Sequence, residues 1–360
     1  MEIIGIICEY NPFHNGHRYH IEKIKELFPS SLIILVLNGY FMQRGDISVL
    51  TKEDKVKIAL EENIDIVIEH PFIFSSNSAD IFAESAVTLL EKMGCSKLVF
   101  GSESNNINLI KEAAKKILDN SKNIKENLNK GLSYPASLNV NISSPNDILG
   151  ISYVKAIIKN NYKIEPITIK RTSDYHDLKS TDNIISASNI RKKHKEKLSV
   201  DKYTSYQHLI KKVDEDLLFK LLQYKINTEH NLDKYLTVDE GIEYRLLKYI
   251  NKAKDLDEFI TLVKTKRYTY NRIKRMLIHI LIGLTKEDKD NTNIDYIKLL
   301  GFNKKGQKYL SKEKDILITS KIPDSFISRK YELKASIIYD LLTNQNTYEF
   351  ELENKPIKKI

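Results

Sequence analysis

Residues 2–28, EIIGIICEYNPFHNGHRYHIEKIKELF, decide how the first half of this chain folds. The run IIGIIC is continuously apolar and mostly β-branched, which is typical of a strand buried on both faces of a sheet. HRYHIEKIKELF follows at 17–28, where Ile21 and Ile24 recur at helical spacing on one face. A buried strand followed closely by an amphipathic helix predicts the first unit of a parallel α/β sheet.

The same alternation of strand and helix continues to about residue 200. Further buried strands are predicted at 31–39, 64–71, 96–104 and 164–172, and helices at 52–63, 78–94 and 186–198. Thr51 precedes the second helix as a suitable N-cap, and Gly94 is placed to end the third. The fold class predicted is α/β with a Rossmann-like parallel sheet, in which ligands bind at the carboxyl ends of the strands.

The pattern changes between residues 196 and 204. Beyond this point the sequence predicts long helices at 214–226, 240–253 and 271–284, with one further strand at 315–322. We therefore predict two domains. Residues 1–199 form the α/β domain, and residues 200–360 form a mainly α-helical, basic domain.

The composition is that of a globular protein without a membrane span. Hydrophobic residues make up 41% of the 360, and no apolar run approaches the length that crosses a bilayer. The N-terminus lacks the basic and apolar regions of a signal peptide. Cys8 and Cys95 are the only cysteines and share no motif spacing, which argues against a disulfide scaffold or a structural zinc site. We expect a cytoplasmic protein.

The net charge of +9 is unevenly distributed. Residues 1–110 contain nine Lys and Arg against fifteen Asp and Glu, so the rest of the chain carries the positive charge. Such an asymmetry is typical of a protein whose basic half binds a polyanion. A general enrichment in Lys, Asn and Ile, which this sequence also shows, would account for it equally well.

The corner EYNPFHNGHRYH (9–20) lies where the first strand ends and the first helix begins. Pro12 restricts the turn, and Gly16 lets the backbone approach a ligand closely. The helix N-terminus attracts anions. His14 and His17 flank Gly16 there and can donate hydrogen bonds to the oxygens of a transition state at phosphorus. His20 lies one turn further on and either supports the pair or covers the helix.

These histidines are also compatible with two simpler roles. Three histidines three residues apart could bind a metal, although they would not share one face across a strand–helix corner. They could also be ordinary surface histidines. The order Pro-Phe-His-x-Gly-His directly after a buried strand favours the phosphate-binding hypothesis over both.

NPFHNGHRYH resembles the His-x-Gly-His signature of the nucleotidyltransferase superfamily, whose members activate carboxylates or phosphates with ATP. Further motifs follow in order: NGYFMQRGDISVLTKEDK, DIVIEHPF, ADIFAESAV, GCSKLVFGSE, SPNDILGISYVKAI, IKRTSDYHD, SASNIR and TKRYTYNRIKRMLIHILIG. Over nearly the whole length, these motifs resemble the bacterial tRNA(Met) cytidine acetate ligase family. The resemblance implies a nucleotidyltransferase domain that activates acetate with ATP and a second domain that binds tRNA.

The implied reaction has two steps. ATP and acetate form acetyl-adenylate and pyrophosphate, and N4 of the wobble cytidine of elongator tRNA(Met) then attacks the acetyl carbonyl to give N4-acetylcytidine and AMP. His14 and His17 take the catalytic role. Mg²⁺ is expected with the triphosphate on charge grounds, and no residue is assigned as a metal ligand. The implied ATP-binding residues are Ile7, Cys8, Glu9, Tyr10, Asn11, Pro12, Phe13, His14, Asn15, Gly16, His17, Arg18, Tyr19, His20, Gly101, Asn146, Arg171, Ser188 and Arg191.

Several of these residues could have a simpler local role. Gly101 could be an ordinary turn glycine, Asn146 an N-cap, and Arg171 a surface cation. SASNIR (186–191) resembles the second phosphate-binding signature of the superfamily, which favours a ligand role for Arg191. Arg44 could contact either the phosphates or the tRNA.

The segment KTKRYTYNRIKR (264–275) contains six basic residues, two tyrosines and no acidic residue. Cations together with aromatic rings suit RNA. The candidate tRNA-binding residues are Lys266, Arg267, Arg272, Lys274 and Arg275. The alternative is a solvated helix face in a lysine-rich protein.

Two further functions are compatible with parts of the sequence. An adenylyltransferase for a small phosphorylated substrate would share the first domain but would not need a large basic half. A non-catalytic RNA-binding protein would not need an intact His-x-Gly-His set.

Overall fold

The computed structural model describes residues 1–120, 144–171, 183–312, 316–353 and 355–360. Its centre is an eight-stranded sheet. The strands are β1 Ile3–Cys8, β2 Leu32–Asn38, β3 Ile66–His70, β4 Lys97–Ser102, β5 Glu165–Lys170, β6 Tyr296–Asn303, β7 Leu317–Thr319 and β8 Ile357–Lys359. The first five strands, which carry the continuous apolar runs, are mutually parallel, as predicted.

The strand order creates a crevice beside β1. The order is β5-β4-β1-β2-β3-β6-β7, with β8 also paired to β6. The chain runs outward from β1 through β2 to β3 and then returns to place β4 on the other side of β1. Ligands of open α/β sheets bind where the strand order reverses in this way. The switch point lies at the carboxyl end of β1, where the His-x-Gly-His corner begins.

Fifteen α-helices are found in the described ranges. They are α1 Asn15–Leu27, α2 Lys52–Glu61, α3 Phe72–Ser75, α4 Ala79–Lys92, α5 Ile107–Asp119, α6 Pro145–Lys159, α7 Ala187–Lys195, α8 Glu215–Thr228, α9 Ile242–Tyr249, α10 Leu256–Val263, α11 Tyr270–Ile282, α12 Lys286–Asp290, α13 Lys304–Leu310, α14 Ile327–Thr343 and α15 Thr347–Glu353. One face of the sheet packs on α4, α5 and α6, and the other on α1 and α2.

The predicted helix boundaries hold where capping residues mark them. Thr51 accepts a hydrogen bond from the backbone N–H of Asp54, and Gly94 has φ +76° just after α4. The first helix begins at Asn15, two residues before the prediction, because the His14 side chain itself caps it. A side chain predicted to bind a ligand thus also sets the start of the helix.

The second half is mainly helical, and its last segment extends the sheet. Helices α8 to α11 and α14 share one apolar core, to which Tyr40, Phe41 and residues 72–74 of the first half also contribute. The sequence pattern missed β6, which pairs antiparallel with β3. The predicted strand at 315–322 is the short β7, and Asp315 lies outside the described residues. The division of the chain into two domains at residue 199 stays a prediction. Strands β6, β7 and β8 of the second half belong to the same sheet as the strands of the first half.

Within the described ranges, no helix is long and apolar enough to cross a membrane.

Candidate functional site

A cavity of about 520 Å³ opens at the carboxyl ends of β1, β4 and β5. Fifteen of the nineteen residues predicted to bind ATP line it. They are Ile7, Cys8, Glu9, Tyr10, Asn11, His14, Gly16, His17, Tyr19, His20, Gly101, Asn146, Arg171, Ser188 and Arg191. Five segments far apart in the sequence therefore meet at one place, which is what a single binding site requires.

The corner between β1 and α1 fixes the tautomers of two histidines. His14 Nδ1 accepts a hydrogen bond from the backbone N–H of Gly16 at 3.0 Å, and His17 Nδ1 accepts one from the backbone N–H of His14 at 3.2 Å. Each Nδ1 is therefore an acceptor, so in the neutral ring the proton is on Nε2. The two rings lie 4.0 Å apart between centroids. The cap thus leaves two neighbouring N–H donors for a ligand.

Gly16 gives the His14 ring the room it needs. A Cβ built on Gly16 would lie 2.7 Å from Cε1 of His14. Any other residue at this position would displace the ring, so the glycine of the motif is required by packing against the histidine beside it.

Burial keeps the three histidines of the corner neutral. Desolvation, with the positive charges of Arg171 and Arg191, lowers the pKa of His14 to about 3. Burial also lowers the pKa of His20 to about 4 and holds that of His17 well below its usual value. Nε2 of His20 is buried without a hydrogen-bond partner among the described residues. At neutral pH the corner offers neutral donors.

Gly101, Asn146 and Arg171 come together at one side of the cavity. A Cβ on Gly101 would lie 3.3 Å from Cγ of Arg171, and Asn146 Nδ2 donates to Glu103 Oε1 at 2.5 Å. Nε of Arg171 is buried without a hydrogen bond among the described residues, and its ion-pair partner Glu103 Oε1 lies 3.9 Å away, beyond hydrogen-bond distance. An unsatisfied buried guanidinium nitrogen favours a ligand at this position.

The simpler local roles of Gly101 and Asn146 are not observed. Gly101 lies within β4, paired with Ile169, and not in a turn. The N-cap of α6 is Ser144, and Asn146 lies two residues further on. In the IKRTSDYHD motif, the residues after Arg171 lie outside the described residues.

The start of α7 closes another side of the cavity. Ser186 caps this helix, and its Oγ lies 2.9 Å from Oγ of Ser188. Arg191 donates to the backbone oxygen of Asn11 at 2.6 Å and pairs with Asp46 at 3.0 Å. Arg191 is therefore held at the cavity by groups from two other segments.

Four predicted ATP-binding residues lie outside the cavity lining. Pro12 is in the turn itself, and Phe13 is buried in the core with Tyr10. Asn15 donates to the backbone oxygens of Asn183 and Lys202, and Arg18 pairs with Glu62 at 2.5 Å. They stabilise the corner, so a contiguous motif combines ligand-facing and supporting residues.

The cavity lining also contains residues that the sequence did not predict. They include Gln43, Asp46, Phe82, Phe100, Ile148, Leu149, Tyr153 and Lys170. Arg44, whose role the sequence left open, also lines the cavity. Asp46 directly follows the stretch QRG (43–45), which was the available signal. The aromatic residues lie in helices and strands with ordinary apolar patterns, where no local signal separates a cavity wall from core.

The loop 43–46 connects the cavity to the basic segment 264–275. Lys274 forms an ion pair with Asp46, and Arg275 donates to the backbone oxygen of Gln43 at 3.4 Å. Gly45, with φ +79°, packs directly on the second turn of α11, where a Cβ would lie 2.7 Å from the backbone nitrogen of Arg275. Two predicted tRNA-binding residues therefore lie at the edge of the predicted ATP site.

The other predicted tRNA-binding residues lie along the same segment. Arg267 pairs with Glu240, and the guanidinium of Arg272 lies 4.0 Å from the centre of the Tyr268 ring. Lys266 is exposed. The segment presents both cationic and aromatic groups.

A second cavity of about 450 Å³ adjoins the first. Asp46 and Arg191 line both, and Lys274 lines the second. Its floor is aliphatic, including Leu218 and Leu222. The described residues of its lining include six Lys and Arg residues and two acidic residues, Asp46 and Glu215.

Comparisons with known proteins place this architecture in a family. Residues 1–355 match the family model described as HIGH Nucleotidyl Transferase. The chain is 38% identical to the tRNA(Met) cytidine acetate ligase of Geobacillus sp. (strain WCH70) over an alignment of 372 residues. This alignment covers 94% of this chain and 92% of that protein. It is 36% identical to the same-named protein of Bacillus subtilis (strain 168), over 98% of this chain and 95% of that protein.

Solved structures give the same relationship. The apo crystal structure of Thermotoga maritima TmcAL superposes with a TM-score of 0.87 at 27% identity, over 99% of each chain. TmcAL from the same organism bound with alpha-thio ATP superposes with a TM-score of 0.85 at 26% identity, over the full length of both chains.

Proposed function

This chain belongs to the tRNA(Met) cytidine acetate ligase family of HIGH nucleotidyl transferases, and from this membership we infer that it is an ATP-dependent acetate ligase. ATP and acetate react to acetyl-adenylate and pyrophosphate. N4 of the wobble cytidine of elongator tRNA(Met) then takes the acetyl group, and AMP leaves. The mixed α/β fold is that of the family.

The observation that carries the first step is the pair of Nε2–H donors that the α1 cap creates at the switch point. Acetate attacks the α-phosphorus, and negative charge grows on the phosphoryl oxygens. Donors positioned before the reaction stabilise that charge without reorganisation. We assign His14 and His17 to this role. The unsatisfied Nε of Arg171, with Gly101 and Asn146, supports binding of the nucleotide on the β4 and β5 side.

Mg²⁺ is proposed to accompany the triphosphate. The cavity lining contains Arg44, Lys170, Arg171 and Arg191, with Glu9 and Asp46 as its acids. Asp46 is already paired with two cations. These mostly cationic side chains suit a bound anion better than a metal ion bound by the protein alone. The phosphate oxygens would therefore supply most of the ligands of Mg²⁺. No residue of the chain is assigned as a ligand.

The tRNA is proposed to bind along segment 264–275 and over the second cavity. Contact of Lys274 and Arg275 with loop 43–46 supports this, because RNA bound on the segment would lie next to the acetyl-adenylate. The excess of cations around the second cavity also favours a polyanion.

The deciding experiment measures acetate-dependent exchange of pyrophosphate into ATP by purified protein, followed by mass analysis of nucleosides from added tRNA(Met). We expect exchange only with acetate, and a gain of one acetyl group on cytidine only with tRNA. Exchange that needs another acceptor would indicate the small-substrate adenylyltransferase. Tight tRNA binding without any exchange would indicate a non-catalytic RNA-binding protein.

Charge removal on the basic segment tests the tRNA surface. We predict that Lys266→Ala, Arg267→Ala, Arg272→Ala and Lys274→Ala together weaken tRNA binding and reduce its salt dependence, because fewer counterions are released when fewer cations contact the phosphates. Acetate-dependent exchange should change much less. The matched control replaces Lys92, Lys111, Lys115 and Lys116, which line neither cavity. Equal affinity in both quadruple variants would reject the surface.

A further inference from the structure

Glu9 is a carboxylate in the cavity with only one of its oxygens engaged. It follows β1 directly and lines the cavity. Its Oε1 accepts the backbone N–H of Gln43 at 2.6 Å and Nδ2 of Asn38 at 3.0 Å. The structure records no hydrogen bond to Oε2 from any described residue. Oε2 is therefore the atom through which Glu9 can meet a ligand.

A buried polar network fixes this orientation. Asn38 Oδ1 lies 3.3 Å from Nδ1 of His70, and His70 Nε2 lies 2.7 Å from Oγ of Ser85. All three residues are buried. Because Asn38 is held by His70, it can present its Nδ2 to only one oxygen of Glu9. The network therefore holds the carboxylate in one orientation, with one oxygen left without a recorded hydrogen bond.

Glu9 is one of the residues predicted to bind ATP, but its polar partners lie on the β2 side of β1, opposite Gly101 and Arg171. Gly101 and Arg171 are at the ends of β4 and β5, whereas both partners of Oε1 come from β2 and the loop after it. That loop contacts the basic segment at Lys274 and Arg275. Glu9 is thus held by the loop that contacts the basic segment, from which RNA would approach.

We propose that Glu9 Oε2 accepts an N4–H of the target cytosine and removes the proton when N4 is acetylated. This inference rests on the proposed function and goes beyond it by assigning the acceptor side of the site. The N4 lone pair forms the bond to the acetyl carbonyl carbon, and the bond from that carbon to the phosphate oxygen of AMP breaks with its electrons on AMP. The proton from N4 goes to Glu9 and later to solvent.

The same contact gives selectivity for cytosine. The exocyclic N4 of cytosine is a donor, and a carboxylate is the side chain that reads it in nucleic-acid recognition. Uracil presents an acceptor oxygen at the equivalent position, which an ionised Glu9 would repel. Phe82 and Tyr153 are apolar parts of the same lining and pack in the core behind it.

The surroundings of Glu9 suit a proton acceptor. Burial raises its pKa above the usual value, against the opposing effect of the Gln43 N–H. A raised carboxyl pKa brings the group closer to the range useful for a general base. Charged and titratable groups facing Glu9 are Asp46, whose charge raises its pKa, Lys55 and Arg44, which lower it, and Cys8 and Tyr153.

The test uses Glu9→Gln and separates the two steps. The Gln side chain keeps a carbonyl oxygen that can accept from Gln43 and Asn38. Its NH2 group, which cannot accept a proton, takes the place of Oε2. Chemically synthesised acetyl-adenylate and an anticodon stem-loop RNA are supplied to the variant, and acetyl transfer is timed. We expect transfer to fall by about a hundredfold or more, and acetate-dependent pyrophosphate exchange to fall far less.

Two further readouts distinguish this role from a structural one. Transfer by the unmodified protein should rise with pH through one ionisation, and transfer by Glu9→Gln should not. The preference for a stem-loop with cytidine over one with uridine at the target should also decrease in Glu9→Gln, because the amide donates to uracil O4. Glu22→Gln, an exposed carboxylate on α1, is the matched control.

The outcomes are separable. Equal losses in exchange and transfer, or transfer near the rate of the unmodified protein, would overturn the role of Glu9 while leaving the ligase intact. Absence of both exchange and transfer in the unmodified protein would instead remove the proposed function, and this inference with it.

Discussion

His14 and His17 show how a backbone cap can set up chemistry. Each ring uses Nδ1 to accept a backbone N–H at the start of α1, which leaves Nε2–H as the donor. The sequence predicted two donors at a helix N-terminus. It could not predict their tautomers, because these depend on hydrogen bonds that exist only when the corner is folded.

Removing either donor tests the pair. We predict that His14→Ala and His17→Ala each reduce acetate-dependent pyrophosphate exchange by about a hundredfold to a thousandfold, the usual effect of removing one preorganised donor. The losses should not add in the double variant, since the rings also cap the helix together. His208→Ala, an exposed histidine, is the control. Exchange at the normal rate in either single variant would contradict the assignment.

At the scale of elements, loop 43–46 links the cavity to α11. Gln43 supplies the N–H that holds Glu9, Asp46 pairs with Arg191 and Lys274, and Gly45 lies against the helix backbone. The loop therefore connects the proposed nucleotide site to the proposed RNA surface. The sequence did not predict that loop 43–46 contacts α11, since about 230 residues separate the two segments.

A comparison of substitutions at two glycines with the same backbone conformation tests the contact between loop 43–46 and α11. Gly45 and Gly283 have φ +79° and +80°, so Ala at either position carries a left-handed backbone cost of about 1–2 kcal/mol. Only at Gly45 would the new Cβ also meet backbone, whereas at Gly283 the nearest atom is the flexible end of Lys334 at 3.6 Å. We predict that Gly45→Ala lowers the free energy of unfolding by about 3 kcal/mol or more, since overpacking adds to the backbone cost. Chemical denaturation of both variants checks this, and equal losses would show that the contact adds nothing.

At the scale of the whole molecule, a buried cluster of charges joins the two halves of the chain. Lys52 on α2 pairs with Glu69 on β3, with Glu332 on α14 at 3.2 Å and with Glu351 on α15 at 2.5 Å. Lys298 on β6 pairs with Glu351 at 2.5 Å. All five side chains are buried. Buried charges are tolerated only when paired, so the cluster holds these five elements in one arrangement.

Loss of the central cation should be costly. We predict that Lys52→Met destabilises the protein by about 3–5 kcal/mol, because it leaves buried carboxylates without their partner. Lys57→Met, on the exposed face of the same helix, removes only the pair with Glu53 and should cost about 0.5 kcal/mol or less. Urea denaturation gives both values. Similar effects of the two substitutions would mean that the cluster does not determine stability.

Acid should destabilise the protein through its buried histidines. Burial lowers the pKa of His14 and His70 to about 3 and of His20 and His279 to about 4, and it holds that of His17 well below normal. In the unfolded chain these groups titrate near 6.5. Below that pH the unfolded state binds protons that the folded state excludes, so the free energy of unfolding falls as pH decreases.

The magnitude can be bounded. Each such histidine contributes up to about 1.4 kcal/mol per pH unit below 6.5. Glu332 acts in the opposite direction, because burial and neighbouring Glu69 raise its pKa to about 7 and the folded state retains its proton. We predict a net loss of several kcal/mol between pH 6.5 and pH 5. His70→Gln should make the dependence shallower and exposed His208→Gln should not; a curve flat in this range would contradict the prediction.

The sequence by itself determined the features that short-range patterns encode. Continuous β-branched runs alternating with amphipathic helices predicted the parallel sheet and the edge at which ligands bind. Thr51 and Gly94 marked helix ends because capping depends on neighbouring residues. The Pro-Phe-His-x-Gly-His corner identified the site because its histidines interact with their own backbone.

Only the tertiary structure decided what depends on residues distant in sequence. Three examples are the pairing of β6 with β3, the hydrogen bond that orients Glu9 and the contact of Gly45 with α11. Each of them depends on two segments whose sequences give no sign that they will meet. Lys52 shows this dependence on tertiary structure most clearly. A lysine near the start of a helix is expected at the surface, yet Lys52 is fully buried. The physical reason is that burial of a charge requires partners, and these partners meet only when the chain has folded.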